Sequence, residues 1–372
     1  MRIGIDAKWF FTGPVSTRVV FWNLLPELFA LYPEHEWILF LDRRDESRNF
    51  PFHPENITLR YVWADNNMLS NLLLLTGQLR TLKVDVMLYQ TFPSLKQVMP
   101  SVAFIHDVLF RDYPQFFGWK ERLYFLPLPW LTRHRVSRLI ATTEFVAGDL
   151  LKYGYTDSRS SIDIVPLGVT KMYKPESDHD RGRLDAVKEK FGLPDRYLLY
   201  VGRLNARKNI ENLLKALKLI QDRGIGLVIV GKEDRKAPEW QGLLADPVNR
   251  ERVLMTGGMT DEELTATYAM AKLFCYPSYA EGFGLPPLEA MASGIPVVVA
   301  QTTSLPEVCG EAGTYIDPGR PDSIARAIDE LLSNGELYTR KKLLGLERVR
   351  QYTWAKTAQA LMESLYKAYK NK

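Results

Sequence analysis

Cysteine is nearly absent from this chain of 372 residues: Cys275 and Cys309 are the two it has. Neither sits at a metal-ligand or disulfide-framework spacing, so both are expected as reduced residues of a cytosolic protein. Long apolar runs are missing as well. None approaches the roughly 20 residues of a membrane span, and Met1–Asp6 reads as a short strand broken by a charge, not as a signal peptide. Charge of one sign is scarce: 48 Lys and Arg against 44 Asp and Glu leave a net +4, too little to argue for nucleic acid. Histidine is rare, at 5 residues, and no His, Cys, Asp or Glu cluster has metal spacing, so neither a catalytic metal nor a cofactor is expected. The first strand of each half lacks a following G-x-G-x-x-G, which argues against a dinucleotide oxidoreductase.

What remains is ordinary globular composition, 46% hydrophobic and 25% charged, at a length that suits two domains. Short apolar runs alternate with helical patterns. Arg2–Ala7, Trp37–Leu41, Thr58–Val62, Val84–Tyr89, Val102–Ile105 and Arg138–Thr142 are expected strands of a first half, with amphipathic stretches Val19–Ala30 and Met68–Leu82 between them. The second half repeats the grammar at Tyr197–Val201, Gly226–Val230, Val253–Met255, Leu273–Tyr276, Pro296–Ala300 and Gly313–Ile316. Such alternation implies parallel sheets covered on both faces. The polar segment Lys171–Lys190 is the best linker. The expected fold is therefore α/β with two doubly wound Rossmann-like halves, and ligands at the carboxyl ends of the strands.

The most telling segment runs from Glu281 to Glu289, Glu-Gly-Phe-Gly-Leu-Pro-Pro-Leu-Glu. Two carboxylates bracket a glycine-rich turn that leads into a helix. Gly282 and Gly284 let the backbone of Gly282–Leu285, Phe283 included, come close to a ligand. The helix start near Pro286 and Pro287 offers N–H groups to a phosphate. Glu281 is placed for sugar hydroxyls and Glu289 for a ribose, a combination that suggests a nucleotide-sugar. A second turn, Gly202-Arg203-Leu204-Asn205-Ala206-Arg207-Lys208, follows a strand with several cations that suit a departing diphosphate. Asn205 and Arg207 are equally suited to capping or solvating that turn. His106, at the end of a first-half strand, can reach a sugar hydroxyl, while Asp107 orients its turn.

The Glu281–Glu289 segment resembles the E-x7-E motif of retaining glycosyltransferases of the GT-B fold, the large family 4. The resemblance covers nearly the whole chain and is strongest from Leu198 to Pro318. It implies two domains facing across a cleft: 1–170 on the acceptor side, a linker 171–195, a donor domain 196–352, and a last helix 353–372 packing back on the first domain. It implies that Glu281 meets the donor sugar, Glu289 the ribose, Arg203 and Lys208 the phosphates, and that His106 lies beside the sugar once the cleft closes. Gly231-Lys232 and Met255 would approach the nucleotide. Transfer of a hexose (mannose, glucose or rhamnose) to a glycan or lipid-linked acceptor is implied, with retention, without metal, in bacterial polysaccharide or O-antigen assembly. Alternatives are a GT-B phosphorylase or epimerase, or a silent nucleotide-sugar-binding subunit.

The first loop departs from the family. Instead of a glycine-rich turn it carries Trp9-Phe10-Phe11-Thr12-Gly13-Pro14, so Gly13 is the single glycine left for a phosphate contact. Ser16 or Thr17 is a candidate cap for the next helix. Val165–Val169 is assigned to the hinge. Gly226–Lys232 imitates part of a P-loop, but Glu233 replaces the Ser/Thr and the intervening residues form a strand. Asp178-His179-Asp180 spells D-x-D in a polar segment and reads as solvated. Finally, Phe116–Trp130 with Arg133, His134, Arg135 and Arg138 mixes apolar and basic residues. It is either a surface for anionic lipid at the cytoplasmic face of the inner membrane or an ordinary helix pair packed on the sheet.

Overall fold

The computed structural model describes residues 1–52, 55–63, 66–96, 98–233 and 240–370. These residues divide into two compact units, Met1–Gly168 with Thr353–Lys370 and Val169–Tyr352. The chain passes between them at 168–169 and again at 352–353.

The first unit holds seven parallel strands: β1 (Arg2–Asp6), β2 (Glu36–Asp42), β3 (Ile57–Val62), β4 (Val86–Gln90), β5 (Ser101–Ile105), β6 (Arg138–Ala141) and β7 (Ile162–Ile164). Their order is β3-β2-β1-β4-β5-β6-β7. β4 and β5 are buried along their whole length, as central strands covered on both faces must be. The helix Trp354–Lys370 belongs to this unit and buries Trp354, Leu361, Met362 and Leu365. Its Lys367 and Ser364 reach Asp163, which Arg138 also pairs at 2.6 Å. Arg138 is therefore tied inside the unit and is not part of a basic face.

The stretch expected as one helix over Met68–Leu82 is helical but not regular. Asn67–Leu69 and Leu75–Thr81 are α-helical, and Ser70–Leu74 between them is a π turn. That wider turn carries Asn71, whose amide reaches Asp6 Oδ2 at 2.7 Å and the Phe92 carbonyl at 2.7 Å. Lys8 completes this buried network, with Nζ 2.5 Å from both Asp6 and Asn71. The helix Val15–Leu31 follows Pro14 without a side-chain cap. Thr17 is buried within its first turn, so it does not cap it, and the Ser16 side chain lies outside the described residues. Gly13 is small for a packing reason: a Cβ there would lie 2.1 Å from Trp9 Cβ.

The second unit has six parallel strands: β8 (Tyr197–Val201), β9 (Gly226–Val230), β10 (Val253–Gly257), β11 (Leu273–Tyr276), β12 (Val297–Ala300) and β13 (Gly313–Ile316), in the order β10-β9-β8-β11-β12-β13. The linker expected at 171–195 is not a linker throughout. Arg181–Phe191 is a helix, capped by the Asp180 side chain at one end and by left-handed Gly192 at the other, with Leu184 and Val187 buried. The Asp cap, the Leu184–Val187 spacing and the Gly192–Pro194 stop were all present in the sequence, but the surrounding charge obscured them.

Candidate active site

Strand order in the second unit reverses between β8 and β11, and a crevice opens at the carboxyl ends of strands where neighbours diverge in this way. The loops that follow these two strands carry the two segments singled out above. Glu281, after β11, is buried, with its carboxylate Oε1 2.6 Å from Lys208 Nζ and 3.2 Å from Arg207. Lys208 also donates to the Tyr276 hydroxyl, and Arg207 to the Ala280 carbonyl. Burial pushes the Glu281 carboxyl up, but Arg207 and Lys208 outweigh it and hold it at about 2. The group is a carboxylate at any physiological pH.

Local backbone geometry sets this cluster. Asn209 takes a left-handed conformation and donates to the carbonyls of Pro277 and Pro318, which docks the β8 loop on the β11 loop. The Glu281 amide donates to Thr303 Oγ1 at 2.9 Å, while Ser304 Oγ donates to the carbonyls of Glu281 and Phe283. Thr303 accepts φ +51° to do so, a cost that is repaid at functional loops by what it positions. The loops after β8 and β9 also touch: a Cβ on Gly231 would lie 1.9 Å from the Gly202 carbonyl oxygen. Lys232 and Arg203 are exposed beside this contact. Met255 sits on the edge strand β10, half-buried.

The helix Leu285–Ala292 starts behind Gly284 at φ +103°. Four amides at a helix start lack an intrahelical partner. Here Pro286 and Pro287 occupy two of those positions and have no N–H, so the helix start offers only the Gly284 and Leu285 amides to an anion, fewer than expected. One turn on, half-buried Glu289 accepts from the Tyr268 hydroxyl at 2.8 Å. Burial pushes its carboxyl up to about 7, against hydrogen bonds from Tyr268 and Tyr173 that pull it down. The two acids of the motif are thus driven in opposite directions by their surroundings. The sequence showed the acids and the cations but not the partners: Tyr173, Tyr268 and Tyr276 are hydrophobic-looking residues whose hydroxyls turn to the site, and Arg207, equally suited by sequence to capping or solvating its turn, lies 3.2 Å from Glu281.

In the first unit, His106 follows β5 and stacks on Phe104 with ring centroids 4.5 Å apart. Burial lowers its pKa to about 4, so the imidazole is neutral at physiological pH. Its Nε2 is buried and has no partner among the described residues. Asp107 accepts from the Leu109 amide, the turn-orienting role expected of it. Asp178, His179 and Asp180 serve local turns, Asp180 as the helix cap already noted and His179 against the Lys174 carbonyl.

Two parallel doubly wound sheets with a strand-end site of this composition define the GT-B class of fold. A family model for glycosyl transferases group 1 matches residues 184–343. The O-antigen chain mannosyltransferase B of Escherichia coli is 30% identical over 260 residues, 68% of this chain and 67% of that protein. The chain belongs to this glycosyltransferase family. The serotype-specific mannosyltransferase WbdA of Escherichia coli is 34% identical over 191 residues. That match spans half of this chain and only 23% of the length of WbdA. Among solved structures, sucrose-phosphate synthase from Thermosynechococcus elongatus superimposes with a TM-score of 0.79 at 17% identity, covering 100% of both chains. HepE from Anabaena, solved with UDP and glucose, gives 0.75 at 16% identity, covering 99% of this chain and 100% of its own. These two likenesses speak for the fold.

Proposed function

We propose that the protein transfers a hexose, mannose in the first instance, from a nucleoside diphosphate donor to a hydroxyl of a glycan or lipid-linked acceptor, with retention and without a metal, in bacterial polysaccharide or O-antigen synthesis. The observation that carries this reading is the convergence of Arg207 and Lys208 on one oxygen of Glu281, at the carboxyl ends of β8 and β11. Cations held in place before the reaction stabilise a departing diphosphate without reorganisation. In the reaction the anomeric carbon–oxygen bond to the diphosphate breaks, the acceptor oxygen bonds to that carbon, and the acceptor proton leaves with the diphosphate. Glu281 orients the sugar hydroxyls, with the Gly284 and Leu285 amides on the diphosphate. Arg203, Gly202, Gly231 and Lys232 border the nucleotide, and Glu289 holds the ribose. Neutral His106, in the first unit, is suited to donate to or accept from a sugar hydroxyl. Mannose is preferred because both Escherichia coli relatives are named as mannosyltransferases.

The test is nucleoside diphosphate release from GDP-mannose, UDP-glucose, UDP-galactose, UDP-N-acetylglucosamine and dTDP-rhamnose, with EDTA present. Release from one donor, raised by a glycan acceptor and insensitive to EDTA, is the expected result. Absence of both release and calorimetric binding of GDP, UDP and dTDP would sink the proposal.

Glu289 adds a pH signature. Its carboxyl is neutral below about 7 and ionised above, and an ionised carboxylate is the stronger acceptor for ribose hydroxyls. The KM for intact donor, whose diphosphate does not titrate in this range, is therefore expected to fall as pH rises from 6 to 8. In Glu289→Gln that slope should vanish. A wild-type KM flat across the interval would remove Glu289 from the ribose.

The acceptor side bears on the membrane. The helices Trp119–Phe125 and Leu128–Arg135 are not simply packed away. Trp119, Leu123, Leu126 and Trp130 are each more than half exposed, interleaved with exposed Lys120, Arg122 and Arg133. Exposed tryptophans among cations suit the interface of an anionic bilayer. No helix among the described residues is long and apolar enough to cross a membrane, so the reading is peripheral association at the cytoplasmic face. Sedimentation with phosphatidylglycerol vesicles should fall roughly fivefold per cation removed, as about 1 kcal/mol each implies, and Trp119→Ser with Trp130→Ser should abolish it. Equal sedimentation of wild type and double variant would exclude this face.

A further inference from the structure

The second unit holds a cavity of about 260 Å3 between the segment that leads into the helix Arg181–Phe191 and the helix Asp261–Met270. Lys171, Met172, Lys174, His179, Asp180 and Arg183 line it on one side and Thr265 on the other. None of these residues belongs to the Glu281–Glu289 turn or to the β8 loop.

The charge of this lining is mostly positive. Lys171 is exposed, Lys174 and Arg183 are half-buried, and neither lysine ammonium has a hydrogen-bond or ion-pair partner among the described residues. The other polar groups are committed. The Asp180 carboxylate accepts from the Arg183 amide at 2.9 Å, and the Arg183 guanidinium reaches Glu262, which does not line the cavity, at 3.1 Å. His179 Nε2 donates to the Lys174 carbonyl at 3.2 Å, and buried Thr265 donates to the Glu262 carbonyl at 3.0 Å. Burial lowers the His179 pKa, and Lys174 and Arg183 act in the same direction, each more strongly than Asp178 opposes them. Positive charge therefore prevails inside the cavity.

That chemistry selects the ligand. Ammonium groups donate and do not accept, so a polyol would find half of its hydrogen bonds unmet on the lysines. A metal ion would be repelled by them, and an aliphatic chain would strip them of water. A phosphate accepts from compact ammonium charges of this kind, and Met172 gives a small organic group an apolar wall.

Both walls continue into the donor site. Tyr173, between Met172 and Lys174, meets the Tyr268 ring edge-on at 5.3 Å. Thr265 lies one turn before Tyr268 on the same helix. Both tyrosine hydroxyls bond to Glu289, that of Tyr268 at 2.8 Å. A ligand that bridges the walls fixes the spacing of the two groups that orient this carboxyl.

We propose that the cavity binds the phosphate group of a small ligand on Lys171 and Lys174, and that the bound phosphate tightens the grip of the donor site on the nucleoside through Tyr173, Tyr268 and Glu289. The effect on the nucleoside rests on the placing of Glu289 at the ribose; phosphate binding does not.

The experiment is phosphorus NMR of inorganic phosphate and, separately, glycerol phosphate, each at millimolar concentration with the full chain. Line broadening is expected with wild type and is retained in Lys208→Met, whose diphosphate site is weakened. Affinity should fall roughly tenfold in the double variant Lys171→Gln with Lys174→Gln, the scale of two exposed charge contacts of up to about 1 kcal/mol each. The double variant alters side chains without partners and should melt as wild type does. Tighter binding of the ester would assign the site to a phosphate ester, equal binding to free phosphate. Broadening lost in Lys208→Met, broadening equal in wild type and the double variant, or none with either probe would each overturn the proposal. Calorimetric titration with guanosine, uridine and thymidine reads the coupling. One nucleoside should bind about fivefold tighter when phosphate is present, the low end of typical coupling between two sites. Tyr173→Phe should bind phosphate as wild type does and lose that gain. Nucleoside affinity indifferent to phosphate would overturn the effector role and leave a phosphate site standing. Absence of nucleoside binding under any condition would sink the donor reading, and the coupling with it, but not the phosphate site.

Discussion

Glu281→Gln is expected to reduce sugar transfer by roughly 100- to 1000-fold, the scale on which one preorganised group at a reacting centre is lost, while nucleoside diphosphate affinity stays unchanged or tightens. The reason is the arrangement of charge. Arg207 and Lys208 both approach Oε1 of Glu281, so removing the negative charge leaves both cations to the diphosphate. The same change costs stability, about 3 kcal/mol or more, because breaking a buried pair from one side strands the other partner. The pH dependence of stability follows from the depressed carboxyl. Its folded value of about 2 lies below the ordinary 4.5, so its contribution is fully present above that ordinary value and is lost as pH falls from about 4.5 toward 2. Thermal melts of wild type and Glu281→Gln at pH 7 and pH 3 test this directly: the difference in melting temperature should be larger at pH 7. Transfer kinetics equal to wild type would refute the catalytic assignment, whatever the melts show.

Lys208→Met is expected to have the opposite signature. Affinity for the nucleoside diphosphate should drop at least about 30-fold, the lower range for truncating one member of a buried charged pair, and transfer should fall with it. Glu281 would lose its nearer cation, at 2.6 Å, and keep Arg207 at 3.2 Å. Lys208→Arg should not restore activity, because a guanidinium is larger than the buried ammonium that donates to both the Tyr276 hydroxyl and Glu281 Oε1. Calorimetric titration with the diphosphate of the active donor separates the two variants: one keeps affinity and loses turnover, the other loses both. Equal diphosphate affinity in Lys208→Met and wild type would move the phosphate contact to Arg203 or Arg207.

Much of the second unit was legible in the amino-acid order. Tyr197–Val201, Gly226–Val230, Leu273–Tyr276 and Gly313–Ile316 are strands with the bounds expected of them, because buried parallel strands are short continuous apolar runs between turn residues. β7, three residues long, was invisible for the same reason, since Ile162-Asp163-Ile164 carries a charge and has no run to betray it. The helix Arg181–Phe191 was hidden by its solvent face, where charge outnumbers the two buried apolar residues. The π turn at Ser70–Leu74 left no mark on the apolar pattern, because it shifts the helix phase without changing composition.

The sequence by itself determined the alternation of strands and helices, the place of the Glu281–Glu289 turn and the cations of the β8 loop, since hydrophobic period and turn chemistry act over a few residues. Tertiary structure decided what each of those groups experiences. It gave Glu281 two cations and Glu289 two tyrosines, so that one carboxyl is held at about 2 and the other at about 7. It exposed Trp119 and Trp130, which a local pattern could equally have placed in a core, and it left the Asn67 amide buried and unmatched. Burial and electrostatic environment are sums over neighbours brought together from distant parts of the chain, and no local pattern contains those sums.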